Sequence, residues 1–127
     1  MPIVKILILD DSTTILNICA KLLRQRNMEV HTATSAAEGI RNMVEHGVPN
    51  LVITDINMPG MSGLELTSRL RQVAPGLPIM VMTSGADKDT VRTAKELRVT
   101  AWLIKPFSAD QLFHKVEEAL ASQRQTA

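Results

Sequence analysis

Residues 3–12 read IVKILILDDS: a short apolar run, interrupted once by Lys5, that stops at a pair of aspartates, Asp10 and Asp11. Four more apolar runs follow, at residues 29–32, 51–54, 79–82 and 101–104. The stretches between them are long enough for helices, and that alternation builds βαβ units around a parallel sheet. Leu, Ile, Val, Ala and Met far outnumber aromatic residues, which make up 2% of the chain, as suits strands covered on both faces. The expected fold is therefore α/β: a doubly wound five-stranded parallel sheet with helices on both faces.

Local signals place the helices. The first is expected over residues 14–26, with Ile15, Ile18, Cys19, Leu22 and Leu23 on one face. Ser35 with Glu38, Ser62 with Glu65 and Ser108 with Gln111 have capping-box spacing, which starts helices two, three and five. Gly47 ends the second helix, and Pro75-Gly76 lies just past the third. The fourth helix, over residues 87–97, has a thin apolar face of Val91, Ala94 and Leu97, which makes it cheap to shift. The fifth runs over residues 109–122 on Leu112, Val116 and Leu120, leaving 123–127 as a frayed tail.

At 127 residues the chain is expected to be one domain over its whole length. Its formal charge of +1 gives no global field toward nucleic acid, and the basic segment 21–26 reads as the wet face of a helix. Cys19, the one cysteine, excludes an internal disulfide or a cysteine-based metal cluster and reads as packing. No stretch has the length of a membrane span or the pattern of a secretory signal, so a cytoplasmic location with no membrane insertion is the expectation. There is no GxxxxGK[ST] loop, no GxGxxG after the first strand and no GxSxG elbow, which excludes the familiar nucleotide and serine-hydrolase sites. His31, His46 and His114 are dispersed along the chain and read as surface or structural residues.

In an open parallel sheet the reactive crevice lies beyond the carboxyl ends of the strands. Asp10 and Asp11 follow strand one, Asp55 strand three, Thr83 and Ser84 strand four, and Lys105 strand five. Three carboxylates brought together repel one another, and a divalent cation removes that cost. An all-oxygen donor set points to Mg²⁺ or Mn²⁺ rather than zinc. Asp55 is then a nucleophile that takes a phosphoryl group, with the cation and Lys105 neutralising its oxygens and the Thr83 hydroxyl donating to another. On spacing alone Lys105 is also compatible with a purely neutralising role, and Thr83 with a turn or cap.

The motifs KILILDDS (5–12), LVITDINMPGMSG (51–63), IMVMTSG (79–85) and WLIKPF (102–107) together make the chain resemble a response-regulator receiver domain of two-component signalling. That resemblance implies the strand order 2-1-3-4-5. It implies phosphorylation at Asp55 from the phosphohistidine of a histidine kinase or phosphotransfer protein, followed by self-catalysed hydrolysis, so the domain is not a conventional enzyme. It also implies metal binding by Asp10, Asp11, Asp55 and the main-chain carbonyl of Asn57. Thr83 is the switch hydroxyl, Lys105 the active-site lysine before a cis proline, and Trp102 stands at the aromatic switch position, with simple packing as its other reading. A downstream target would read the face of helix four, strand five and helix five, where Lys88, Arg92, Lys95 and Arg98 are also compatible with an ordinary solvated surface. A monomer or weak dimer is implied.

Three departures stand out: Leu16 where many relatives carry a basic residue, Ser84 for the more usual Ala, and Arg98 for a helix-ending Gly. Asn57 and Gly85 flank the site without shielding it, so spontaneous hydrolysis is expected to be fairly fast. Two other functions fit the fold: a scaffold that ignores phosphorylation, and a small-molecule phosphohydrolase. The five intact central groups disfavour the first. The second lacks material for a lid, and has Asn57 where an acidic group would be wanted. The wiring stays open between a chemotaxis regulator, a phosphorelay shuttle, and a receiver from a larger hybrid kinase or transcriptional regulator.

Overall fold

The structure is a computed structural model that describes residues 2–125. Five strands alternate with five helices: β1 (Lys5–Leu9), α1 (Thr13–Arg24), β2 (Glu29–Ala33), α2 (Ala36–His46), β3 (Leu51–Asp55), α3 (Gly63–Val73), β4 (Ile79–Thr83), α4 (Lys88–Glu96), β5 (Ala101–Ile104) and α5 (Ala109–Gln125). The sheet is wholly parallel in the order β2-β1-β3-β4-β5, as expected. Side chains alternate across it. Ile6 and Ile8 of β1 pack with Leu16, Cys19 and Leu23 of α1 and Leu112 and Val116 of α5 in one core. Leu7 and Leu9 pack on the other face with Leu66 and Leu70 of α3. β3 and β4 are buried throughout, which is why their runs are continuously apolar.

Two helices sit differently from expectation. On α1 the buried residues are Leu16, Cys19, Ala20 and Leu23, while Ile18 is 49% exposed. The i, i+3, i+4, i+7 stripe starts one residue later than the run of large apolar side chains implies, because small Ala20 fits against the sheet and Ile18 does not. Leu16 therefore serves the core. α5 extends to Gln125, past the expected end near residue 122, while residues 126 and 127 of the expected tail lie outside the described residues.

The helix starts follow the serines. Ser35 and Ser62 accept from the amides of Glu38 and Glu65 at 3.2 and 3.1 Å. Only Ser108 and Gln111 form a reciprocal box, the Ser108 amide donating to the Gln111 side chain at 2.8 Å. Glu38 instead accepts from the Thr34 hydroxyl at 2.9 Å. Ser12 caps α1 and Asp87 caps α4, two starts without box spacing. α1 and α4 both end on a non-glycine residue with positive φ, Asn27 at 64° and Arg98 at 58°. The sequence left Arg98 open between a different helix end and a left-handed residue; it is left-handed.

Candidate functional site

The parallel strands end together, and their carboxyl edge gathers the polar residues. Asp10 lies one residue past β1 and is fully buried; Asp55 ends β3 at 7% exposure; Asp11 is exposed at the rim. One carboxylate oxygen from each lies within 4.8 Å of the others. Lys105, one residue past β5, reaches across the edge. Its Nζ donates to Asp10 Oδ2 at 2.7 Å and lies 3.4 Å from Asp55 Oδ2. The backbone before it is held by Lys105 N donating to Thr83 O at 2.8 Å, and the Lys105–Pro106 bond is cis.

Electrostatics follow from that crowding. Burial pushes the Asp55 carboxyl above the ordinary range and repulsion from Asp10 adds to it, while Lys105 and the Asn57 amide pull the other way. Burial alone would lower Lys105, but its bonds to Asp10 and Asp55 outweigh this and hold the ammonium above its usual value. The site is thus a strained carboxylate beside a firmly charged cation. A group that brings positive charge to Asp55 relieves the strain.

The carboxylate set suits a divalent cation. All three donors are hard oxygens gathered within 4.8 Å of one another, the donor chemistry that Mg²⁺ or Mn²⁺ takes. Ser12 N donates to Asp10 Oδ1 at 2.9 Å, which orients that carboxylate and leaves its other oxygen to Lys105.

The remaining expected residues are placed less uniformly. Asn57 is exposed and its amide donates to Asp55 Oδ1 at 3.4 Å. Thr83 is buried at the end of β4, but its hydroxyl donates to Gly85 O at 2.5 Å and accepts from Gly85 N at 3.1 Å, so it is turned into its own loop. Trp102 is half-buried on β5, across from Val81. Ser84 is exposed beside the site.

Two contributors escaped the sequence reading. Ser12 is one, visible only as the last letter of KILILDDS. Gly63 is the other: a Cβ there would lie 2.2 Å from the Asp55 carbonyl oxygen, so α3 can start against the end of β3 only with glycine. Its amide donates to Ile56 O at 2.8 Å. His31 and His46, far apart along the chain, meet at the surface with ring centroids 4.8 Å apart and planes tilted by 44°, and Glu29 lies 2.8 Å from His31 Nε2. They lie on β2 and the end of α2, away from the carboxylates.

Comparison with known proteins matches the same arrangement. The model of the response regulator receiver domain family matches residues 6–117. The chemotaxis protein CheY of Pseudomonas aeruginosa is 32% identical over 116 residues, covering 90% of this chain and 94% of that protein. The transcriptional regulatory protein GlrR of Escherichia coli is 31% identical, with 91% of this chain covered but only 26% of that protein. Among the transcriptional regulators matched, the chain spans between 26% and 52% of their length. The crystal structure of a CheY-like receiver domain protein from Methanospirillum hungatei superimposes with a TM-score of 0.92 at 29% identity, covering 99% of this chain and all of that one. Among the described residues no helix is long and apolar enough to cross a membrane.

Proposed function

The chain belongs to the response regulator receiver domain family, and from that premise we propose that Asp55 accepts a phosphoryl group from phosphohistidine and passes the signal through protein contacts. A carboxylate oxygen of Asp55 attacks phosphorus, the P–N bond to the donor imidazole breaks, and its electron pair stays on the departing nitrogen. The observation that carries this is the meeting of three carboxylates with the Lys105 ammonium, 2.7 Å from Asp10 and 3.4 Å from Asp55, at the open carboxyl edge of the sheet. Asp10, Asp11, Asp55 and the Asn57 carbonyl would hold Mg²⁺ or Mn²⁺, which supplies charge neutralisation for the transferring group. Lys105 pairs with a phosphoryl oxygen by releasing its hold on Asp10. Thr83 leaves the Gly85 carbonyl to donate to another, and Trp102 moves toward the space this opens.

The donor is a histidine kinase or phosphotransfer protein, and the receiving surface for a downstream target is the face of α4, β5 and α5. Hydrolysis of the aspartyl phosphate resets the chain, which acts as a monomer or weak dimer in the cytoplasm. The match to CheY along nearly its whole length supports a motility role. The equal likeness to longer transcriptional regulators supports a receiver that works within a larger assembly.

The test is intact mass after treatment with acetyl phosphate, with and without Mg²⁺, on the wild type and Asp55→Asn. A Mg²⁺-dependent gain of one phosphoryl group, absent from the variant, is the expected outcome. A folded wild type that gains nothing would leave only a phosphorylation-independent scaffold.

A further inference from the structure

Arg71, in the last turn of α3, lies at the opposite end of the sheet from the carboxylates. Its guanidinium donates to four backbone carbonyls. Nε reaches Leu97 O at 2.8 Å and Nη2 reaches Arg98 O at 2.9 Å, both at the end of α4. Nη1 is shared between Leu77 O at 2.5 Å and Pro75 O at 3.4 Å, in the loop that feeds β4. The planar fork of arginine, with five donors in fixed directions, suits it to serve acceptors on two segments at once.

What it holds is unusual. The end of α4 is a Schellman turn: Arg98 N donates to Lys95 O and Val99 N to Ala94 O, each at 3.0 Å. Arg98 fills the left-handed position that glycine normally takes, with φ 58°. A side chain there costs conformational energy that the surroundings must offset. Arg71 satisfies two of the carbonyls that this turn leaves without a backbone partner, those of Leu97 and Arg98. Among the described residues, the other end of α4 has no such tie. Asp87 accepts from Thr90 N at 2.7 Å, a bond within the helix, and Ala94 is the one fully buried side chain of α4.

We propose that Arg71 is a positioning residue for α4, latching its C-terminal end so that the helix answers events at Asp55 by swinging its Asp87 end about Leu97 and Arg98. The hinge rests on the proposed phosphorylation of Asp55; the latch does not. The Asp87 end follows directly on the Thr83 to Gly85 loop, whose hydroxyl contact is the one that must break on switching. The geometry thus assigns α4 a mobile end near the site and a fixed end remote from it.

Hydrogen exchange resolved by mass spectrometry, on the full chain, tests both parts. In Arg71→Met the amides from Leu97 to Thr100 should exchange at least tenfold faster, while those of Met80 to Met82 keep the wild-type rate. Arg71→Lys, a milder change that retains charge and stem, should fall between. Adding Arg98→Gly to Arg71→Met should recover much of the protection, because glycine adopts the left-handed turn unaided. Unchanged exchange at Leu97 to Thr100 in both Arg71 variants would overturn the latch. With acetyl phosphate and Mg²⁺, the wild type should speed up at Lys88 to Val91 and stay at background from Leu97 to Thr100, while in Arg71→Met both ends respond. An equal response at both ends of the wild-type helix would overturn the hinge. A wild type that gains no phosphoryl mass would overturn the reading of Asp55 and the hinge with it, while the latch would still stand on the exchange of the untreated variants.

Discussion

A Cβ on Gly63 would sit 2.2 Å from the Asp55 carbonyl oxygen and 3.0 Å from the Ile56 Cα, both backbone atoms that cannot step aside. Gly63→Ala should therefore push the first turn of α3 off the end of β3, lowering the urea midpoint by the equivalent of about 2 kcal/mol or more and slowing phosphorylation of Asp55. An alanine variant with wild-type stability would mean that α3 is free to retreat. Cys19 makes a different kind of demand. Burial raises its thiol to about 11 from an ordinary value of 9.0, with Asp10 adding to the shift. The folded chain thus keeps the proton that the unfolded chain loses first, so stability is intact below pH 9 and falls as pH rises from 9 toward 11. Between pH 8 and 10.5 the wild type should lose on the order of 2 kcal/mol more than Cys19→Val, read from paired urea titrations. Equal losses would place the thiol in water.

At the level of elements, α1 shows what sequence patterning delivers and where it stops. The helix was legible because apolar residues recur at helical spacing, but its rotation was not: Ile15, Leu16, Ile18, Cys19, Leu22 and Leu23, six large or medium apolar side chains, compete for a stripe that holds four. Leu16 is 3% exposed and Ile18 is 49% exposed. Leu16→Ala should cost about 2–4 kcal/mol and Ile18→Ala less than about 1 kcal/mol, in the same denaturation assay. The reverse order would restore the face read from sequence. Capping was legible for the same reason at Ser35, Ser62 and Ser108, because a serine three residues before Glu or Gln is a local mark. Ser12 and Asp87 cap equally well but lack that partner, so nothing local announces them. The reciprocal box at Ser108 makes Ser108→Ala the clearest test, with an expected loss of about 1 kcal/mol. Side-chain reach is the harder thing to read: Arg71 crosses to Leu97 and Arg98, 26 and 27 residues away, with no spacing rule to predict it.

For the whole molecule, the site draws Asp10 from just past β1, Asp55 from the end of β3 and Lys105 from just past β5; β1 and β3 are neighbours and β4 separates β3 from β5, so the site exists only when the sheet is complete. That dependence runs both ways. The site was legible as a set of residues because each follows a strand; the internal contacts of Lys105 with Asp10 and Thr83 with Gly85 were not, since they depend on side-chain torsions. Asp55 is raised by burial and by Asp10, so in the absence of a cation its ionised carboxylate works against folding. Asp55→Asn keeps the shape and removes one of the repelling charges, and should stabilise the metal-free chain and raise its thermal midpoint. Mg²⁺ should raise the midpoint of the wild type with a dependence on concentration set by mass action, and should raise that of Asp55→Asn much less. Calorimetry of the two proteins across a Mg²⁺ series reads both effects. If Asp55→Asn were less stable than the wild type, the attraction of Lys105 would outweigh the repulsion of Asp10. If Mg²⁺ raised both midpoints equally, the cation would bind away from Asp55. The same charge that disfavours the folded state thus makes the fold responsive to a bound cation, which neutralises it.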